Sequence, residues 1–144
     1  MILVKDIKGT KGLISIETKY TDLLGSNSAS NTTLKDEIVE YNKIFDQELI
    51  KLIKVKGYQQ IHRNYLLTYI YAKKHKFKHF ANIIISPEDD HLSVKELEQL
   101  KSHLLQNKDT ILKISLEEIT ERGINCENND ISRVMKKFKH RYIG

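Results

Sequence analysis

The chain has 144 residues, 40% hydrophobic and 30% charged, with a net charge of +5, which is ordinary for one globular domain with a real core. No apolar run reaches the roughly 18 residues of a membrane span, and no basic-then-apolar leader opens the chain. The single cysteine, Cys126, can form no internal disulfide, which suits a reducing, cytoplasmic setting.

The first twenty residues read as a β-hairpin. "MILVK" is apolar and β-branched, "DIKGTKG" is a turn-rich connector with Gly9 and Gly12, and "LISIETKY" returns over 13–20. Strand alternation puts Leu13, Ser15, Glu17 and Lys19 on one face. That face starts apolar and ends charged. Glu17 and Lys19 then mark either a solvated strand end or a site. In a site, the carboxylate would hold a hard divalent cation and the ammonium would orient or polarise a water.

Residues 21–32 are rich in serine and asparagine and read as a mobile loop. Thr32 or Thr33 caps a helix whose apolar residues continue through Ile44, Phe45, Leu49, Leu52 and Ile53. Gly57 breaks it. The best-formed helix covers 59–74, with Ile61, Tyr65, Tyr69 and Ala72 as its inner stripe. "ANIIIS" over 81–86 reads as a buried strand ended by Pro87. Ser93 opens the next helix, with Glu96 at capping-box spacing. "DTILKISLEEI" gives a strand running into a helical turn. Asn129 or Asp130 caps the last helix, in which Ile131, Val134, Met135, Phe138 and Tyr142 are expected to face inward. The order is β-β-α-α-β-α-β-α, an α/β domain with a mixed central sheet flanked by helices. No linker divides it, so 1–144 reads as a single domain.

Two basic clusters interleave with aromatic residues, "AKKHKFKH" at 72–79 and "RVMKKFKHRY" at 133–142. Such clusters are solvated faces or polyanion contacts. In the second, Arg133, Lys136, Lys137 and Arg141 form the outer face, expected to meet phosphates. Helix 59–74 carries Gln60, Arg63, Asn64 and Leu67 at i, i+3, i+4 and i+7, and it could pack across the Glu17–Lys19 strand. Asn64 reads as a loop-bonding side chain and His62 as a structural histidine. Arg63 suits bidentate phosphate binding, and Gln60 can hold a water or phosphate oxygen. No glycine-rich phosphate loop, nucleophilic triad or zinc spacing occurs.

A hairpin whose second strand reads apolar-apolar-Glu-x-Lys-Tyr, followed by a helix with glutamine near its start, resembles the PD-(D/E)XK nuclease superfamily. The similarity covers roughly residues 1–85. It implies a restriction-endonuclease-like fold, DNA as partner, and Mg²⁺-dependent phosphodiester hydrolysis, a hydrolase activity. Carried over, Glu17 is a metal ligand, the Thr18 backbone carbonyl a further one, Lys19 the catalytic lysine, Gln60 a supporting catalytic residue and Arg63 a phosphate contact. The family's first aspartate should lie on the strand before the turn, but "MILVK" contains no acid and Asp6 falls at the turn. The chain thus reads as the family core without its N-terminal part and as catalytically incomplete. The alternative is a non-catalytic nucleic-acid-binding or protein-assembly module on the same fold. Uncovered apolar surface and an exposed "MILVK" edge would favour a homodimer or dependence on a partner; no membrane partner is expected.

Overall fold

The computed structural model describes residues 1–19, 42–56 and 60–144. The expected loop at 21–32 and the start of the following helix lie outside them. Strands β1 (Ile2–Lys5) and β2 (Lys11–Thr18) form the hairpin, with Leu3 opposite Leu13 and Lys5 opposite Lys11. β3 (His79–Ser86) and β4 (Ile111–Ser115) follow in parallel, giving a mixed sheet in the order β1-β2-β3-β4. β2 begins two residues earlier than its apolar pattern suggests. Gly12 sits inside it because His79 O and Val4 Cγ2 approach to 3.3 and 3.1 Å of where a Cβ would stand.

Five helices are described. α1 (Gln47–Lys56) joins the core of α2 (Gln60–Lys74) and α3 (His91–His103), which lie against the sheet. Their contacts with the sheet build one cluster from Ile44, Phe45, Leu49, Tyr65, Ile84, Leu97 and Ile111. The opposite face is more open: Ile2, Val4, Ile16 and Leu112 share it and are 36–49% exposed. α4 (Leu116–Ile124) and α5 (Asn129–Tyr142) pack on each other. Gly123 lets them approach closely, since a Cβ there would fall 2.6 Å from Met135 Cγ.

Five local expectations are corrected. Residues before Gln47 do not join α1: Phe45 leaves the helical path to bridge Leu104, and Asp46 Oδ1 accepts Leu49 N–H at 2.9 Å, starting a new helix. α3 begins before Ser93, because Asp90 is the cap that accepts Ser93 N–H. Asn128, not Asn129 or Asp130, caps α5 by accepting two backbone N–H groups. Residues 116–124 form a full helix capped by Ser115, which adds an element to the expected order. α5 buries none of its residues; Ile131, Val134 and Tyr142 are exposed, and α4 is the described element most closely packed on it.

Candidate active site

Two residues of strand advance about 6.6 Å and four residues of helix about 6.0 Å. A strand face and a helix stripe crossing it antiparallel can therefore stay in step for several rungs. β2 and α2 do this. Ser15 Oγ lies 2.8 Å from Thr68 Oγ1, Glu17 Oε2 accepts a short hydrogen bond from Asn64 Nδ2, and Lys19 Nζ donates to Gln60 Oε1 at 2.7 Å. Asn82 on β3 joins the lowest rung, its Nδ2 3.3 Å from Thr68 Oγ1. The chain below these polar rungs is apolar, with Leu13 buried.

The top of the ladder is the charged part. Lys19 follows the last residue of β2, yet its N–H still donates to Ile85 O at 2.7 Å, which keeps it in register with β3. Its Nζ is 3.1 Å from Glu17 Oε1, and the two side chains are only 8% and 13% exposed. Glu17 and Lys19 are therefore not a solvated strand end. The carboxylate is fixed from both sides, by Asn64 on Oε2 and by Lys19 beside Oε1. Lys19 approaches Oε1 at ion-pair distance without hydrogen-bond geometry, so this buried oxygen keeps unused acceptor capacity. Lys19 has three N–H donors; one serves Gln60 and one faces Glu17.

The remaining predicted residues divide. Gln60 and Asn64 turn toward β2, while Arg63 and Leu67 are exposed, so the expected four-residue face splits along α2. Thr18 alternates to the other sheet face and is exposed, so only its backbone could serve a cation at Glu17. His62 lies on the core side of α2, buried against Phe45 with ring centroids 6.3 Å apart. Burial, and the nearby His103, lower its pKa to about 4, so it is neutral and takes no part in the ladder. Asp6 Oδ1 accepts the N–H groups of Lys8 and Thr10 at 2.9 and 2.8 Å. The Thr10 N–H is the main reason its carboxyl sits below its usual range. It braces the hairpin turn six strand residues from Glu17, about 20 Å along β2, and cannot share a cation with it.

The basic helix is not part of this site. α5 packs on α4, which follows β4 at the far edge of the sheet. Arg133 pairs with Asp130 at 3.0 Å, and Arg141 lies over the Tyr142 ring at 5.3 Å. Lys136 and Lys137 are exposed.

Sequence reasoning missed Asn64 as the partner of Glu17 and Thr68 as the partner of Ser15. The matching of two strand residues to four helix residues, started from Lys19 and Gln60, is the signal that would have found both.

Among the described residues no group of three or more His, Cys, Asp and Glu side chains could hold a metal ion. Mg²⁺ commonly takes one or two protein carboxylates and fills its octahedron with water and phosphate oxygens. Among the described residues Glu17 is the carboxylate that would hold such a cation, through Oε1, which accepts no hydrogen bond but faces Lys19 Nζ at 3.1 Å. A family model described as the PD-(D/E)XK nuclease superfamily matches residues 1–144. No curated protein and no solved structure matches the chain.

Proposed function

This chain belongs to the PD-(D/E)XK nuclease superfamily, and we propose that it is a nucleic-acid-binding domain carrying a reduced form of that family's phosphodiester-hydrolysing site. The observation that carries the reading is the buried Glu17–Lys19 pair, in which Glu17 Oε1 faces Lys19 Nζ at 3.1 Å and accepts no hydrogen bond. Two neutral amides, Gln60 and Asn64, hold the pair from one helix. Amides orient the charges without cancelling them.

In this reading Glu17 Oε1 is the protein ligand for Mg²⁺, with the Thr18 carbonyl a second candidate. The cation, when bound, supplies electrostatic stabilisation of the phosphate and a more acidic water. Asn64 fixes the rotamer of Glu17 by occupying Oε2. Gln60 fixes Lys19 by accepting one N–H. The third N–H of Lys19 then points its charge at a phosphate oxygen or at the attacking water. Arg63, one residue from Asn64 and exposed, reaches a flanking phosphate. The outer face of α5, with Lys136, Lys137, Arg133 and Arg141, contacts the DNA backbone away from the site.

The same geometry sets a limit on rate. With Glu17 as the one carboxylate at the site among the described residues, and with Lys19 competing for it, a cation binds weakly. That favours the second reading, a nucleic-acid-binding or assembly module on the same fold with little hydrolysis. In either reading residues 1–144 act as one domain in a cytoplasmic setting, paired with a second copy or a partner across the open sheet face.

Mn²⁺ binding tests the site apart from turnover. Titration followed by the electron spin resonance of free Mn²⁺ should show weak binding in the wild type and none in Glu17→Gln. Undiminished binding in Glu17→Gln would remove Glu17 as the ligand.

A further inference from the structure

The hairpin end of the sheet, about 20 Å along β2 from Glu17, gathers charge that the proposed chemistry does not use. The hairpin brings Lys5, Lys8 and Lys11, and the end of α2 with the residues just after it brings Lys74, Lys76 and Lys78; all are exposed. The sheet register joins the two segments: Gly12 pairs with His79, and Lys78 N–H donates to Lys11 O at 3.3 Å. Among the described residues of the hairpin turn and of 74–78, the one acid beside these six lysines is Asp6, bound to its own turn.

Three rings stand among the lysines. Tyr71 and His75 have centroids 4.2 Å apart, and His75 and Phe77 stack at 5.8 Å with planes 22° apart. Tyr71 and His75 are exposed.

Two features here cost stability and keep charge. Lys5 sits directly opposite Lys11 on neighbouring strands, a like-charge pairing that destabilises a hairpin. Lys76 ends α2 with φ at +55°. Its N–H bonds to Lys73 O, and Phe77 N–H bonds to Ala72 O, a helix-closing arrangement whose left-handed residue is most often glycine. A lysine there is strained. Folding explains neither choice.

We propose that this end is a binding surface for single-stranded nucleic acid, with bases stacked on the exposed face of the Tyr71–His75–Phe77 row and phosphates on the surrounding lysines. Lysines alone would suit any polyanion. The open rings select a strand whose base faces are free, because in a duplex those faces are already stacked on one another. The proposal rests on nucleic acid being the substrate class of the domain, and it is independent of hydrolysis. It gives the chain a strand anchor remote from Glu17 and Lys19.

The test is fluorescence anisotropy of the full chain, without metal, on a labelled oligothymidine strand and on a duplex of equal length. Tyr71→Ala should weaken strand binding by about fivefold or more, the lower end of one base–ring stack, and leave duplex binding unchanged. The triple variant Lys11→Ala, Lys74→Ala, Lys78→Ala should lower the slope of log affinity against log salt by about 2, at about 0.7 per phosphate of a single strand. Lys76→Gly should bind the strand less tightly while melting no lower than wild type, which separates lost charge from lost folding. The assay holds no metal and reads binding alone, so failure of the hydrolytic reading leaves this result standing. Wild-type strand binding by Tyr71→Ala or by Lys76→Gly would overturn the proposal. So would binding to phosphatidylserine vesicles without binding to the strand.

Discussion

Replacing Lys19 with methionine keeps most of its volume and removes its charge. Glu17 would then be a carboxylate with a side chain 13% exposed and no counter-ion. Gln60 Oε1 would lose the N–H it accepts at 2.7 Å. Removing one partner of a buried ion pair costs about 3–5 kcal/mol, chiefly because the other charge is left stranded. The slight exposure of this pair places the loss near the lower end, about 3 kcal/mol. For a chain of this size that is a fall of about 10 °C in melting temperature. Changing Glu17 to glutamine in the same chain removes the stranded charge and keeps an acceptor for Asn64. The double variant Glu17→Gln, Lys19→Met should therefore recover to within about 1 kcal/mol of wild type. Urea unfolding followed by far-ultraviolet circular dichroism measures both, provided the slopes against urea agree. A loss in Lys19→Met below about 0.5 kcal/mol, the range of an exposed pair, would refute the reasoning. So would a double variant as unstable as the two single losses summed.

His62 should make stability pH-dependent. Its pKa falls from 6.5 to about 4 on folding, so the unfolded chain binds more protons between those values. Its stabilising share is complete above pH 6.5, declines as pH falls, and is lost below about pH 4. The full swing is about 3 kcal/mol, and His62→Leu should flatten that part of the urea-midpoint profile. Reversing Lys136 and Lys137 to glutamate should weaken duplex DNA binding alike for all sequences and reduce its salt dependence; wild-type affinity at low salt would make that face merely solvated. Because β1 is an exposed edge and Ile16 and Leu112 leave the outer sheet face open, light scattering should find a homodimer at micromolar concentration. A strict monomer would count against a second copy there.

The hairpin, the 81–86 strand and helix 59–74 were legible because each is a strong local pattern: alternation at 13–19, an isoleucine run at 83–85, and helical spacing from Ile61 to Ala72. The helix starts were less so. Ser93 and Asp90 are both good caps, and Asp90 is the one that accepts Ser93 N–H. The inward face assigned to α5 failed for a different reason. Amphipathic spacing says that a helix can bury a stripe, and not how much surface its neighbour offers. In the site, Glu17, Lys19 and Gln60 could be picked out as residue types. Their union with Asn64 could not, because it depends on which turn of α2 crosses which residue of β2. The hairpin-end lysines were visible as a charge run over 72–79, but their convergence with Lys5, Lys8 and Lys11 depends on the pairing of Gly12 with His79.

The hydrolytic role proposed for Glu17 and Lys19 rests on their buried pairing. Its most direct test is cleavage of labelled single- and double-stranded DNA with Mg²⁺ or Mn²⁺, comparing wild type with Lys19→Ala. Cleavage is expected to be weak at best in the wild type, since Glu17 is the one carboxylate at the site among the described residues, and absent in Lys19→Ala. Metal-dependent cleavage of equal rate in Lys19→Ala would contradict it.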